Sequence, residues 1–202
     1  MSDHLKHPVY SLYVLEFVTV AKEYCIFLEN AARYEKSDFM EKTLKLTTLL
    51  YMKALMIPKI ELINEGEIEK FVTELDYNLI KEGIYSKMGR HDSYLDFFDF
   101  MLQETPEPVT CSISENLADV YQDLKNFMSV YKMGITELMN DALYECKNNF
   151  ELYWGQRAIA SVKILHHHIF VEKDTNEEQK GEEPKRNTED WFISKRQQDF
   201  RK

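Results

Sequence analysis

Apolar residues recur at spacings of three and four along most of the chain, which is the pattern of amphipathic helices. The clearest run lies within residues 112–134 and ends at Gly134, a residue type that is common just after helix C-termini. Its apolar face is formed by Ile113, Leu117, Val120, Tyr121, Leu124, Met128 and Tyr131. This segment is therefore predicted to form a regular helix with one buried side.

Prolines and capping residues predict where the two N-terminal helices begin and end. Proline is well tolerated at the first position of a helix, so the first helix is predicted from Pro8 to about Arg33. It is apolar on nearly all sides, which predicts a place at the centre of the bundle. The second helix is predicted from a cap at Ser37 or Asp38 to Ile57, which precedes a proline.

The middle of the chain is less regular. An apolar stripe that begins at Ile68 predicts a third helix, which Gly83 and Gly89 interrupt. The aromatic segment "DSYLDFFDFM", residues 92–101, predicts a short helix. The two prolines of "QETPEPVT", residues 103–110, predict an extended linker, because proline cannot continue a helix.

The C-terminal part predicts one long helix followed by a polar tail. The helix begins with a cap at Thr136 and continues to about Phe170. The residues after it are mostly polar and charged, as in a segment that cannot offset its ordering entropy. We therefore expect an all-α protein. A single bundle of five to six helices occupies residues 1–171, and a flexible charged tail occupies residues 172–202.

Composition indicates which kinds of partner the protein binds and in which cellular compartment it is expected. The 202 residues carry a formal net charge of −10, which disfavours nucleic acid as a partner because a phosphate backbone attracts Lys/Arg patches. Three unclustered cysteines fit free thiols in a reducing cytoplasm. The most apolar window, residues 9–28, contains Glu16, Lys22 and Glu23, which do not suit a membrane span. We expect a cytoplasmic protein that binds neither nucleic acid nor membranes.

The sequence lacks the motifs of the common catalytic and cofactor sites. Glycine patterns for phosphates and dinucleotides, the serine nucleophile elbow and C-x-x-C are absent. No histidine follows an acidic residue by three positions, which is the spacing of di-iron bundles. His166, His167 and His168 point about 100° apart on a helix, so they cannot share one ion, and only His168 faces the core. We expect no cofactor and no tightly bound metal.

Polar residues form a row on the predicted helix over residues 112–134. Glu115, Asp119, Gln122 and Asp123 lie mainly opposite or beside its apolar face. A row of this kind is typical of a solvated helix surface, so all four side chains are expected in water.

Two segments, "ISENLADVYQDLKNF" and "NDALYECKNNFELYWGQRAIASVKILHH", resemble a group of small uncharacterised proteins of Bacteroidetes that is known only as a domain of unknown function. The resemblance extends over about residues 8–170, is strongest over residues 112–168 and leaves out the tail. It implies a helical domain and a bacterial cytoplasmic setting. It implies no activity, and it transfers no functional residue.

The segment "YWGQRAIASVK", residues 153–163, places a glycine and an arginine inside the last predicted helix. Glycine in a helix costs about 1 kcal/mol relative to alanine, so Gly155 is expected to allow the close approach of another backbone. On a helical wheel, Arg157 falls on the apolar line of this helix. A guanidinium in such a place is paired or reaches water, because its charge cannot be neutralised.

Two interpretations of Arg157 remain open. In the first, it forms a structural ion pair with Glu16 or Glu23 of the first helix. In the second, it lies at the floor of a cleft and binds an anion or carboxylate, since its planar fork suits bidentate recognition. The candidate residues are then Arg157, Tyr153, Trp154, Gln156, Glu16 and Glu23.

Two classes of function follow. The favoured one is a non-enzymatic cytoplasmic interaction or adaptor protein that binds a protein partner or forms a homo-oligomer, because no catalytic constellation is present and the surface is acidic. The alternative is a binding protein or enzyme for a small anionic ligand in a cleft centred on Arg157. An open pocket at Arg157, as opposed to a closed ion pair, favours the alternative.

Overall fold

The computed structural model describes residues 7–66, 68–96 and 108–172. Within these ranges the chain forms six α-helices and one two-stranded antiparallel sheet, so the expected all-α class is confirmed. The helices are α1 (Leu12–Glu29), α2 (Lys36–Leu55), α3 (Glu74–Met88), α4 (Ile113–Tyr131), α5 (Thr136–Asn149) and α6 (Gly155–His166), and the strands are β1 (Ser93–Asp96) and β2 (Val109–Ser112).

The central helix is α4. It contacts α1, α3, α5 and α6, while α2 packs against both α1 and α6. Thirteen of the 19 residues of α4 are buried, against seven of the 18 residues of α1. The prediction that the first helix lies at the centre is therefore wrong. Its outer side exposes Leu12, Leu15 and Ile26.

Large apolar side chains close the core between these helices. Burying one such side chain contributes about 1.5–3 kcal/mol, so a few of them determine which helices pack together. Those without exposed surface include Phe17, Leu50, Leu117, Leu143 and Trp154.

Both N-terminal helices begin near, but not at, the predicted residues. Pro8–Tyr10 forms a separate 3-10 turn, and α1 starts after Ser11. The hydroxyl of Ser11 accepts a hydrogen bond from the amide of Val14 at 3.4 Å, which satisfies a free donor at the helix start. The second helix starts at Lys36, before the two predicted caps.

The third helix begins at Glu74, six residues later than the stripe from Ile68 predicts. Thr73 caps it, because its hydroxyl accepts from the amide of Asp76 while the Asp76 carboxylate accepts from the Thr73 amide. The predicted interruption at Gly83 is absent, since Gly83 lies within α3.

A contact with α4 keeps the residues before α3 out of the helix. The amides of Phe71 and Val72 both donate to Oδ1 of Asn126, at 2.7 and 3.0 Å. Backbone donors that are satisfied in this way do not need a helical turn, and their apolar side chains still pack against the core.

The segment Ser93–Asp96 is a strand, which pairs antiparallel with β2. The predicted short helix over residues 92–101 is therefore wrong for these four residues, and residues 97–101 lie outside the described ranges. The preceding Asp92 is buried and accepts a hydrogen bond from the amide of Ser114 at 2.8 Å. This bond ties the start of β1 to the first turn of α4, so the strand lies beside β2.

The last two predicted helices agree with the structure. Ser112 caps α4, and Gly134 follows it with φ 72°. Helices α5 and α6 are continuous through a π turn at Phe150–Trp154, and a second π turn, His167–Val171, follows α6. Thr136 is the first residue of α5 and not its cap.

By its internal contacts the chain divides into two units, the first ending at Ile169 and the second beginning at Phe170. Of the second unit only residues 170–172 are described, so the predicted tail over residues 172–202 lies almost entirely outside the described residues. Over the ranges that the structure describes, no helix is both long enough and apolar enough to cross a bilayer.

Candidate functional site

The glycine of "YWGQRA" directly follows the π turn Phe150–Trp154. A π turn contains one residue more than an α-helical turn. The carbonyl group of a residue therefore lies close to the residue five positions after it. A Cβ on Gly155 would lie 2.4 Å from the carbonyl oxygen of Phe150 and 3.0 Å from its ring. Gly155 thus permits a close approach, but of its own helix and not, as expected, of another backbone.

The extra residue of the π turn also changes which later side chains face the core. On an unbroken α-helix, Arg157 and Ile164 fall on the apolar line. In the structure the line runs one position later, because the π turn rotates all the residues that follow it. The buried residues of this line are Trp154, Ala158, Ser161, Leu165 and Ile169. The prediction that Arg157 lies on the core line is therefore wrong.

Arg157 lies at the edge of the core, with 33% of its side chain exposed. Its Nε is 3.6 Å from a carboxylate oxygen of Asp119, and its Nη1 donates to Oδ1 of Asn116 at 3.2 Å. The guanidinium also lies over the ring of Tyr153, 5.1 Å from its centroid. Burial acts to lower the pKa of Arg157, but the neighbouring Tyr153 and Asp119 raise it above its ordinary value. The charge of Arg157 is thus compensated within the protein.

Asp119 organises the side chains around Arg157, and only 8% of it is exposed. Its two carboxylate oxygens accept hydrogen bonds from Tyr77 on α3 at 2.8 Å and from Tyr153 at 2.7 Å. Burial and the hydrogen bond to the carboxylate raise the pKa of both phenols. The prediction that Asp119 stands in solvent is wrong, because α3 and the π turn cover this side of α4.

Asn116 extends this arrangement to the sheet. It is buried, and its Nδ2 donates to the hydroxyl of Tyr94 on β1 at 2.6 Å. Burial raises the pKa of Tyr94 to about 12. No sequence spacing marks the set, because its members come from separate elements. We call it the Arg157 cluster, and it consists of Tyr77, Tyr94, Asn116, Asp119, Tyr153 and Arg157.

The two glutamates of the first helix do not reach Arg157. Glu16 pairs with Lys53 on α2, with 2.8 Å between Oε2 and Nζ. Glu23 lies exposed on α1. The prediction that Arg157 pairs with one of them is wrong, because the counter-ion of Arg157 is Asp119.

The predicted neighbours of Arg157 on its own helix also separate. Tyr153 contacts Arg157, as described above. Trp154 is fully buried, and its Nε1 donates to the carbonyl of Cys146 at 3.0 Å. Gln156 is exposed. Only one of these three side chains therefore joins the Arg157 cluster.

A second feature is an exposed apolar surface on the outer side of the helical hairpin α1–α2. Several exposed apolar side chains of each helix lie within about 40° of one line, whereas the exposed Tyr13 and Leu55 point elsewhere. We call this surface the hairpin face. Its apolar members, which are 39–67% exposed, are Leu12, Leu15 and Ile26 on α1, Leu49 and Met52 on α2, and Met56 directly after α2.

A groove of about 340 Å³ lies between the two helices at one end of the hairpin face. Glu23 lines it from α1 and Lys45 from α2, around the apolar Ile26 and Leu49. Lys45 has a 75% exposed side chain and pairs with Glu41 of its own helix at 3.5 Å. Glu23 forms no ion pair with any residue that the structure describes.

A larger cleft of about 580 Å³ lies between the C-terminal part of α1, α3 and α4. On its polar side, the carboxylate of Glu29 accepts hydrogen bonds from Tyr121 at 3.0 Å and from Lys125 at 2.5 Å. The charge of Lys125 is thus neutralised. Arg157 lines neither this cleft nor the groove of the hairpin face.

The three adjacent histidines point in different directions, as helical geometry requires. His168 lies against His91, with 4.8 Å between the ring centroids. His166 and His167 are exposed.

Comparison with known proteins places these features in a family. The profile of a domain of unknown function, DUF5063, matches residues 8–171. The solved structure of protein BF1032 from Bacteroides fragilis is 39% identical, has a TM-score of 0.72 and matches over 81% of this chain and 96% of that chain. None of the curated proteins matches the chain. The resemblance to an uncharacterised Bacteroidetes family is confirmed.

Proposed function

Because the chain belongs to the DUF5063 family, whose function is unknown, we propose a function from its own geometry: a non-enzymatic interaction or adaptor protein of the cytoplasm. The observation that carries the proposal is the hairpin face. Exposed apolar side chains occur singly on any protein, but six of them along two adjacent helices are typical of a protein-binding surface.

The pKa shifts of the ionisable side chains support a non-catalytic role. Burial raises the pKa of the Cys25 thiol to about 12 and that of Cys146 well above its ordinary value. A reactive cysteine needs the opposite shift. The pKa of Tyr77 and Tyr153 is also raised, whereas a general acid or base works best with a pKa near the working pH.

The alternative, an anionic ligand bound at Arg157, has less support. A free cation in an open cleft is the arrangement that would bind an anion. Arg157 instead has Asp119 as its counter-ion, with 3.6 Å between Nε and a carboxylate oxygen. An anion would therefore have to displace a buried carboxylate that two phenols also hold.

Affinity purification of the tagged full chain from cells that produce it naturally tests the proposal. Met52→Glu places a charge within the hairpin face at a side chain that is 48% exposed, so folding is little affected. We expect quantitative mass spectrometry to show proteins that copurify with the native chain and fall at least about tenfold with this variant.

Leu75→Glu is the matched control. Leu75 lies on α3, away from the hairpin face, and is 69% exposed. We expect this variant to retain the same proteins as the native chain. Equal recovery with Met52→Glu and with Leu75→Glu would contradict the proposed function.

A further inference from the structure

The charges at the hairpin face select its occupant. At the groove, Glu23 stands on the α1 wall, whereas the lysines of α2 that line it, Lys42 and Lys45, have only exposed pairs with Asp38 and Glu41 of their own helix. We infer that a second copy of this chain docks on the hairpin face, about a two-fold axis that runs parallel to α1 and α2. The inference rests on the proposed function, for which it names the partner.

A two-fold axis in this direction stacks α1 of each copy on α2 of the other. Rotation by half a turn exchanges the two helices across the axis and keeps every residue at its own height along it. Glu23 of one copy then faces the α2 wall of the other, which carries Lys42 and Lys45. Such an isologous contact uses the same surface twice and closes at two copies.

Contacts between α1 and α2 within one chain determine which residues lie at the same position along the axis, and hence which residues of the two copies meet. The ion pair between Glu16 and Lys53, 2.8 Å long, fixes the register of α1 against α2. Counted from that pair, Glu23 and Lys45 lie at about the same height, on opposite walls of the groove. In the dimer, each Glu23 therefore faces Lys45 of the second copy, and the pair occurs twice.

The two charges at the groove are available for this contact. Glu23 has no counter-ion among the residues that the structure describes. Lys45 has only an exposed pair with Glu41 of its own helix, at 3.5 Å, and such pairs contribute little. Exchange of that pair for Glu23 of the second copy thus costs little.

The apolar side chains match in the same arrangement. Near Lys53, Leu12 and Leu15 meet Met56 and Met52 of the second copy. At the groove end, Ile26 and Leu49 line the groove and are covered by the second copy. Both copies bury their six apolar side chains, which removes the exposed apolar surface of each.

The size of the face fits a stable dimer. Helices of 18 and 20 residues are about 27–30 Å long, and two that pack side by side form a face about 20 Å wide. A typical specific interface buries roughly 800 Å² on each partner, and a rugged face of these dimensions supplies an area of that order.

Sedimentation velocity of the full chain over a range of concentrations tests the inference. We expect a species of twice the 24.1 kDa chain mass. Met52→Glu should raise the dissociation constant at least about tenfold, whereas Leu75→Glu on α3 should leave it unchanged.

Charge exchange tests the direction of the axis. Glu23→Lys places a lysine at both positions of the contact, and Lys45→Glu places a glutamate at both, so each variant alone should dimerise more weakly than the native chain. An equimolar mixture should form the heterodimer, because both contacts then join opposite charges. The effect should be largest at low salt, where exposed charges are least screened.

Each result decides the inference. A chain that stays monomeric at every concentration overturns it, as does a dimer that is indifferent to Met52→Glu. A mixture of the charge variants that fails to associate overturns the two-fold arrangement. The proposed function is judged separately: if the chain is monomeric but Met52→Glu still removes a natural partner, the second copy is refuted and the interaction role stands.

Discussion

Asp119 determines the local structure of three elements through one side chain. Its carboxylate holds Tyr77 of α3 and Tyr153 of the π turn, and Arg157 of α6 compensates its charge. Because every one of these contacts is internal, the Arg157 cluster acts as a clamp between α3, α4 and α6. The sequence predicted a carboxylate partner for Arg157 but named Glu16 or Glu23, because Asp119 lies opposite the apolar face when α4 is viewed alone.

Removal of this carboxylate should destabilise the fold. We expect Asp119→Ala to cost about 1–3 kcal/mol, because the partly buried phenol of Tyr77 and the more exposed phenol of Tyr153 lose their acceptor. Arg157→Ala should cost less, about 1 kcal/mol, because one third of its side chain is exposed and water screens its charge. Urea denaturation gives both values. Glu115→Ala, an exposed position on the same helix, is the control, and an equal loss there would argue against the clamp.

Two other aspartates differ in how the fold treats their charge. Burial raises the pKa of Asp123, although Asn149 donates a hydrogen bond to it at 2.7 Å. Burial acts the same way on Asp141, but hydrogen bonds, including those from the amides of Ile63 and Asn64, outweigh it and lower the pKa. The fold thus favours the protonated form of Asp123 and the charged form of Asp141.

The two corresponding amides should respond to pH with opposite signs. A raised pKa contributes stability below the unfolded value, near 4, that is lost as pH rises through the folded pKa, so Asp123→Asn should stabilise the protein at neutral pH. A lowered pKa contributes stability above about 4 that is lost as pH falls through the folded pKa, so Asp141→Asn should cost about 2 kcal/mol at neutral pH.

Denaturation curves at neutral pH and at about pH 3 measure both differences. Each difference from the native protein should shrink on acidification, because both carboxyl groups approach the protonated form. A loss of stability at neutral pH for both variants would contradict the assignment for Asp123.

At the scale of elements, a regular spacing of apolar residues was sufficient where a helix is uninterrupted, as in α2 and α4. It failed where a distant side chain intervenes. The side chain of Asn126 accepts hydrogen bonds from the amides of Phe71 and Val72, so α3 begins only at Glu74. No local sequence pattern shows this contact. The π turn was missed for a different reason, since a helical wheel assumes a constant rotation per residue.

The π turn leaves no room for a side chain at residue 155. Its Cβ position is 2.4 Å from the carbonyl oxygen of Phe150, so Gly155→Ala should cost about 1–3 kcal/mol by overpacking. Gly83 is also helical but has open space around its Cβ position, so Gly83→Ala should stabilise the protein by about 0.5–1 kcal/mol. Thermal or urea unfolding distinguishes them, and changes of the same sign would show that the π turn does not constrain residue 155.

At the scale of the whole molecule, the apolar character of the first helix is explained by its outer side. Apolar residues on nearly all sides predicted a central helix, yet α4 is central and α1 exposes Leu12, Leu15 and Ile26. The sequence pattern thus predicted burial correctly only in part. We propose that a docked partner on the hairpin face buries the remaining side, and this is the central claim for this protein.

Methionine oxidation measures burial of the hairpin face most directly. Met52 on the face and Met133 beyond the end of α4 are each 48% exposed in the single chain, so dilute peroxide should oxidise them at similar rates in dilute purified protein. In concentrated protein, or in cells that produce it, mass spectrometry should show Met52 oxidised several-fold more slowly while Met133 is unchanged. Equal rates for the two methionines under all three conditions would contradict the claim that a partner covers this face.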